Sequence, residues 1–248
     1  MTQPSWILLR GLARECRYWG DFPKQLATRL NAQVQCPELY GNGIYHQQKS
    51  ATIIADMVDQ LRREVTIRRP VYLLGLSMGG MIAIEWAARY PREVAGLALV
   101  NSSSTLNPFW LRLRPKAQLG VGLALLMSRA QRERLIYRLT CNYRHDSDTL
   151  LPGWIHYANQ YPTTHSNFVR QLVAAARYRV SASNLPVNPL VLCGLQDHLV
   201  NPLCSQTLAQ HLRVSLHQHP RAGHDLPHDA PDWLLSKLAR YSDQQGLD

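Results

Sequence analysis

The sequence predicts an α/β fold, a mostly parallel sheet flanked by helices with a helical cap insertion. Three observations carry this reading. Short β-branched and large apolar runs alternate with segments of helical spacing. One apolar run ends in a tight glycine-containing turn and passes directly into a helical segment. From about residue 107 to 165 the composition is helical with no clear strand, after which alternation resumes. A chain of 248 residues buries one large core, so 1–248 is expected to form a single domain with that insertion.

Taken in order, residues 6–9 form a short apolar strand leading into Arg10-Gly11-Leu12-Ala13-Arg14, and a helix follows over about 22–30. Residues 32–36 read as a second strand entering a turn-rich loop, Pro37 to Gly43. Ile53, Ile54, Met57, Val58, Leu61 and Val65 fall close to helical spacing within 51–65. Residues 71–76 are the next strand. The helical segment 81–90 is stopped by Pro91, and 96–100 is again a strand. Beyond the break at Asn107-Pro108 and the helical stretch come a helix over 167–178, a strand at 189–193, a helix after Pro202, a strand near 214–219 and a final helix over 233–241.

The strand–turn–helix at 71–82 reads Gly75-Leu76-Ser77-Met78-Gly79, a G-x-S-x-G pattern in the context that makes it chemical. A serine at the tip of so sharp a turn adopts a strained backbone with its neighbours pressed on adjoining elements. Glycines two before and two after remove the Cβ atoms that would collide. Ser77 then stands at the carboxyl end of a central strand, and the Met78 N–H points from the first helical turn toward a developing oxyanion. A serine hydroxyl needs a base, and the base needs an orienting carboxylate. Later in the chain, Gly194-Leu195-Gln196-Asp197 places an acid after one strand and Ala222-Gly223-His224 places a histidine after the last. Asp225, next to that histidine, is expected to be an N-cap or surface residue.

These three separated motifs resemble the α/β-hydrolase superfamily over nearly the whole chain. The resemblance implies the α/β-hydrolase fold, with Ser77 as nucleophile, Asp197 as the triad acid, His224 as general base, and the N–H groups of Leu12 and Met78 as the oxyanion hole. It implies acyl-enzyme chemistry on carboxylic esters and no cofactor. Ser77 excludes the aspartate nucleophile of haloalkane dehalogenases and epoxide hydrolases. One departure is visible: members usually carry His-Gly where this chain has Arg10-Gly11, and an arginine there supports the loop through its own donors. The alternative function is a non-catalytic ligand-binding protein on the same fold.

The formal net charge is +10, and between residues 107 and 180 eleven Lys or Arg face three acidic residues. The charge is therefore concentrated in and around the expected cap. Arg112, Arg114, Lys116, Arg129, Arg132, Arg134, Arg138 and Arg144 surround the apolar run 119–127. This pattern is similar to pimeloyl-acyl-carrier-protein methyl ester esterases of biotin synthesis. It implies an acidic carrier protein as partner, with Arg129, Arg132, Arg134 and Arg138 as the candidate docking residues. A solvated basic face and an anionic lipid surface are the competing readings. Nucleic-acid signatures are absent. His217, His219, His224 and His228 have ligand-like spacings, but no cysteine or carboxylate is placed to complete a set, so no metal is expected. Five cysteines without a C-x-x-C, no signal-peptide pattern and no run long enough to span a bilayer lead to the expectation of a cytoplasmic protein.

Overall fold

A computed structural model describes residues 3–124, 126–143, 147–180 and 185–245. Leu125, Arg144 and Asp146, which belong to the cap patterns above, lie outside the described residues.

The chain begins with β1 (Ser5–Leu9), α1 (Phe22–Leu30), β2 (Gln33–Gln35), α2 (Ile54–Glu64), β3 (Val71–Leu76), α3 (Met78–Arg89) and β4 (Val94–Val100). Helices α4 (Phe109–Arg112), α5 (Pro115–Ala124), α6 (Arg129–Thr140), α7 (Ser147–Gln160) and α8 (His165–Arg177) then intervene. Next come β5 (Leu190–Gly194), α9 (Leu203–Leu212), β6 (Leu216–His219), α10 (Leu226–Asp229) and α11 (Pro231–Gln245). The six strands form one sheet in the order β2-β1-β3-β4-β5-β6, and every pairing is parallel.

Parallel strands need crossovers, and crossover helices cover both faces, which is why the strands read as continuous apolar runs. The period of two still sorts their side chains. Ile7, Leu9, Val71 and Leu73 pack on one face with α2 and α3, while Trp6, Leu8, Tyr72 and Leu74 pack on the other with α1 and α11. Trp6 stacks on Tyr72 across the β1–β3 pair, with ring centroids 4.8 Å apart.

Strand order reverses direction at β1: the chain steps outward to β2 and then crosses back to place β3 on the other side. Such a switch point opens a crevice at the carboxyl ends of the two central strands. Leu9 is in register with Gly75, so the segment after β1 and the turn after β3 emerge side by side. The helices between β4 and β5 sit above this edge, since α5, α6, α7 and α8 share a cavity with residues of both segments. A third apolar cluster, Tyr18, Tyr137, Cys141 and Trp154, ties that helical layer to the segment following β1. Among the described residues no helix is long and apolar enough to cross a membrane.

Candidate active site

Ser77 sits between β3 and α3 at φ 60° and ψ −120°, a region that non-glycine residues rarely occupy. The surrounding structure enforces it. Ser77 N–H donates to Val100 O at 2.8 Å, and Ser102 Oγ donates to Ser77 O at 2.8 Å. A Cβ on Gly75 would overlap the Gly79 carbonyl, and one on Gly79 would overlap the Leu9 carbonyl. Both glycines are therefore demanded by close approach, as the spacing predicts. The segment after β1 presses on the serine from the other side: a Cβ on Gly11 would lie 3.1 Å from Ser77 Cβ.

His224 and Asp197 arrive from loops after β6 and β5. His224 Nδ1 lies 2.6 Å from Asp197 Oδ2, and both residues are buried. The other carboxylate oxygen, Oδ1, accepts the N–H groups of Leu199 (2.8 Å) and Val200 (2.9 Å), so Asp197 is held in one orientation by its own loop. Ser77, His224 and Leu12 line one cavity of about 160 Å³. Among the described residues Ser77 Oγ has no hydrogen-bond partner, so serine and histidine face the same space without a direct bond. Catalytic hydrogen bonds of this kind often close only around substrate.

Asp225 stands at the N-cap position of α10, one of the two places expected for it, but it is buried and not a surface residue. Its side chain makes no cap bond; its carboxylate is instead buried against Arg10, with Nη2–Oδ2 at 2.8 Å and Nη1–Oδ1 at 3.3 Å. Burial works to raise the Asp225 pKa; the Arg10 charge, helped by His228, overcomes it and holds the carboxyl below the ordinary carboxylate value. Arg10 also lies over the Trp19 ring at 4.7 Å. The arginine at the usual histidine position thus supports the loop, as its donors allow, by bonding to the residue next to His224.

Two further arginines repeat the pattern. Arg14 pairs with Glu133 of α6 at 2.6 Å and lies over Tyr18 and Trp154, while Arg17 pairs with Glu15 and reaches Gln160 of α7, both at 2.6 Å. Gln171 of α8, fully buried, accepts the Ala13 N–H at 2.8 Å.

Sequence reasoning missed the residues that hold the histidine loop. Asn101 (φ 47°) donates from Nδ2 to the carbonyls of Gly223 and His224 at 3.1 and 2.7 Å and accepts the Gly194 N–H at 2.9 Å. Asp229 accepts N–H groups from Gly223, Asn142 and Tyr143. The available signal was Asn101-Ser102-Ser103-Ser104, four polar residues after a strand that are all buried. His217, His219, His224 and His228 do not gather; the one group within ligand reach of itself among the described residues is Glu15, Cys16 and Glu38, where Glu15 is already paired with Arg17.

The four cap arginines part company. Arg129, which is exposed, and Arg132, which is half-buried, line the cavity, whereas the exposed Arg134 and Arg138 are not among its lining residues.

A sequence model of the Alpha/beta hydrolase family matches residues 6–237. A Cronobacter turicensis protein named as the carbamate hydrolase RutD is 24% identical over 243 residues, covering 95% of this chain and 89% of that protein. The pimeloyl-[acyl-carrier protein] methyl ester esterase of Chromobacterium violaceum is 32% identical over 102 residues, which is 40% of this chain and 37% of that one. Among solved structures, the 2-hydroxy-6-oxo-6-phenylhexa-2,4-dienoate hydrolase of a Rhodococcus species superposes with a TM-score of 0.79 at 22% identity, covering 97% of this chain and 91% of that chain. That likeness is one of fold.

Proposed function

Since the chain belongs to the Alpha/beta hydrolase family, we propose that it is a serine hydrolase that cleaves carboxylic esters through Ser77, His224 and Asp197. The observation that carries the proposal is the 2.6 Å His224–Asp197 contact opening onto the cavity that also holds the strained Ser77.

In this mechanism Asp197 keeps the proton of the neutral imidazole on Nδ1 and leaves Nε2 free to accept. As Ser77 Oγ attacks the ester carbonyl, His224 takes its proton, and Asp197 stabilises the imidazolium. The N–H groups of Leu12 and Met78 bind the oxyanion, a contribution typically worth about 3 kcal/mol per donor. His224 returns the proton to the leaving alcohol, which departs. Water, activated by the same imidazole, then releases the acid and restores Ser77. No cofactor enters. The helices between β4 and β5 act as the cap of a single hydrolase domain.

The finer reading, esters or thioesters of an acyl-carrier protein, draws on the exposed positions of Arg134 and Arg138 and on the partial match to the Chromobacterium violaceum esterase. Intact-protein mass spectrometry after brief exposure to a fluorophosphonate, comparing the native chain with Ser77→Ala, tests the chemistry. One adduct on the native chain and none on Ser77→Ala is the expected result. A folded native chain that takes no adduct rejects the proposal and leaves the ligand-binding alternative.

A further inference from the structure

Helix α6 runs along the cavity with one face turned into it. Arg129, Arg132, Glu133, Ile136, Leu139 and Thr140 all line the cavity, and their spacing of three and four is one stripe of an α-helix. The carboxyl end of that stripe belongs to the reacting end of the site, because Thr140 O accepts the Asp225 N–H at 2.8 Å beside His224. Eight residues back along the helix, about 12 Å at 1.5 Å per residue, lies Arg132. Between them the stripe presents Ile136 and Leu139, and Ala124 and Phe168 add to the apolar wall.

The charges in this cavity do not balance. Its three carboxylates are each matched to an arginine: Asp225 to Arg10, Glu133 to Arg14 and Glu15 to Arg17. Arg129 and Arg132 remain, and among the described residues neither has a carboxylate partner. Arg132 is nonetheless fixed. Its Nε donates to Ala124 O at 3.1 Å, and its Nη2 lies 3.2 Å from His165 Nε2, the first residue of α8. A guanidinium only donates, so His165 accepts through Nε2, and among the described residues three of the five guanidinium N–H groups of this cavity-lining arginine have no partner.

Resting on the ester-hydrolase reading, we infer that this enzyme takes esters whose acyl chain ends in a carboxylate, with Arg132, seconded by Arg129, binding that distal anion while the ester lies at Ser77. The apolar stretch between accounts for a hydrocarbon spacer, and an uncommitted fork of N–H donors matches a carboxylate in two-point contact. The charge recognised belongs to the substrate itself and is read inside the cavity. Arg134 and Arg138, which face outward, take no part in this recognition.

The test compares kcat/KM for p-nitrophenyl monoesters of α,ω-dicarboxylic acids with those of neutral alkanoates of matched length, over a series of chain lengths. The expected result is a preference for the charged series at one length, with the charged-to-neutral ratio falling about 10- to 100-fold in Arg132→Met, mainly through KM, and partly restored in Arg132→Lys. No preference in the native enzyme, or an unchanged ratio in Arg132→Met, overturns the inference. So does a ratio that responds to Arg134→Glu with Arg138→Glu and not to Arg132→Met, which would assign the charge to an external partner. Fluorophosphonate labelling of Ser77 is run alongside. Labelled enzyme with no charge preference sinks the inference alone, whereas unlabelled enzyme that turns over neither series sinks the hydrolase reading beneath it.

Discussion

Arg10→Met isolates the ion pair that joins the segment after β1 to the histidine loop. The side chains of Arg10 and Asp225 are 6% and 4% exposed, so the substitution leaves a carboxylate buried without its cation. Breaking a buried pair from one side costs about 3–5 kcal/mol, against a total stability of about 5–15 kcal/mol for a folded domain. Replacing both partners, as in Arg10→Met with Asp225→Leu, removes the stranded charge and should recover most of that loss. The pH dependence fixes the cause. In the native protein the folded Asp225 pKa lies below its unfolded value. Its contribution is therefore complete above the ordinary carboxylate pKa and is lost as pH falls through the folded value. Without Arg10 the largest opposing charge is gone, His228 and His224 alone act against burial, and the folded pKa is expected to rise above the unfolded one. The variant then gains stability as pH falls through the carboxylate range, and the gap to the native protein narrows. Urea unfolding followed by tryptophan fluorescence at pH 7 and pH 5 measures both effects. A loss below about 1 kcal/mol at pH 7, or a gap that is the same at both pH values, would refute the reasoning.

Asn101→Ala removes three buried hydrogen bonds around Gly194, Gly223 and His224 and should cost about 2–3 kcal/mol in urea unfolding, with ester turnover falling further than stability because the histidine loop loses its fixed position. Burial pushes Glu38 up to about 7, opposed by the Cys16 N–H bond and reinforced by the neighbouring Glu15 carboxylate. A carboxyl raised in the folded state lends stability that is complete below its unfolded pKa and lost as pH rises through about 7, at most about 3 kcal/mol. Glu38→Gln should flatten the stability profile between pH 5 and pH 8, and a profile as steep as that of the native protein would count against the assignment.

The elbow was legible because its constraint is local: the collisions that Gly75 and Gly79 avoid involve the turn itself and the strand beside it. The strands were legible from continuous apolar runs, a direct consequence of burial on both faces. Helix starts were less so. α3 begins at Met78, three residues before its apolar composition suggests, because close packing against Leu9 and Ser102 admits only Gly79 and Gly80 there, poor helix formers held by their surroundings. α2 begins after Ile53, which offers no capping side chain, so nothing in the local sequence marks its first turn. The pairing of Asp225 with Arg10 and the role of Asn101 were not legible, for a different reason. Their partners lie 215 and 122 or 123 positions away, and no local pattern encodes which buried polar group a distant loop will deliver. The cap arginines fall between these cases. Helical spacing already separates 129 and 132 from 134 and 138, but which face looks inward is decided by Glu133 meeting Arg14.

That meeting has a consequence for how such a protein can be rebuilt. Arg14 is buried and, among the described residues, Glu133 is the one carboxylate it pairs with directly, and Arg14 stands two residues after Leu12. A helical layer transplanted from another hydrolase would have to bring an acid to the same point, or the recipient would keep a stranded cation beside the reacting centre. The loop after the first strand and the sixth helix are, in that sense, one exchangeable part, to be swapped together or left alone.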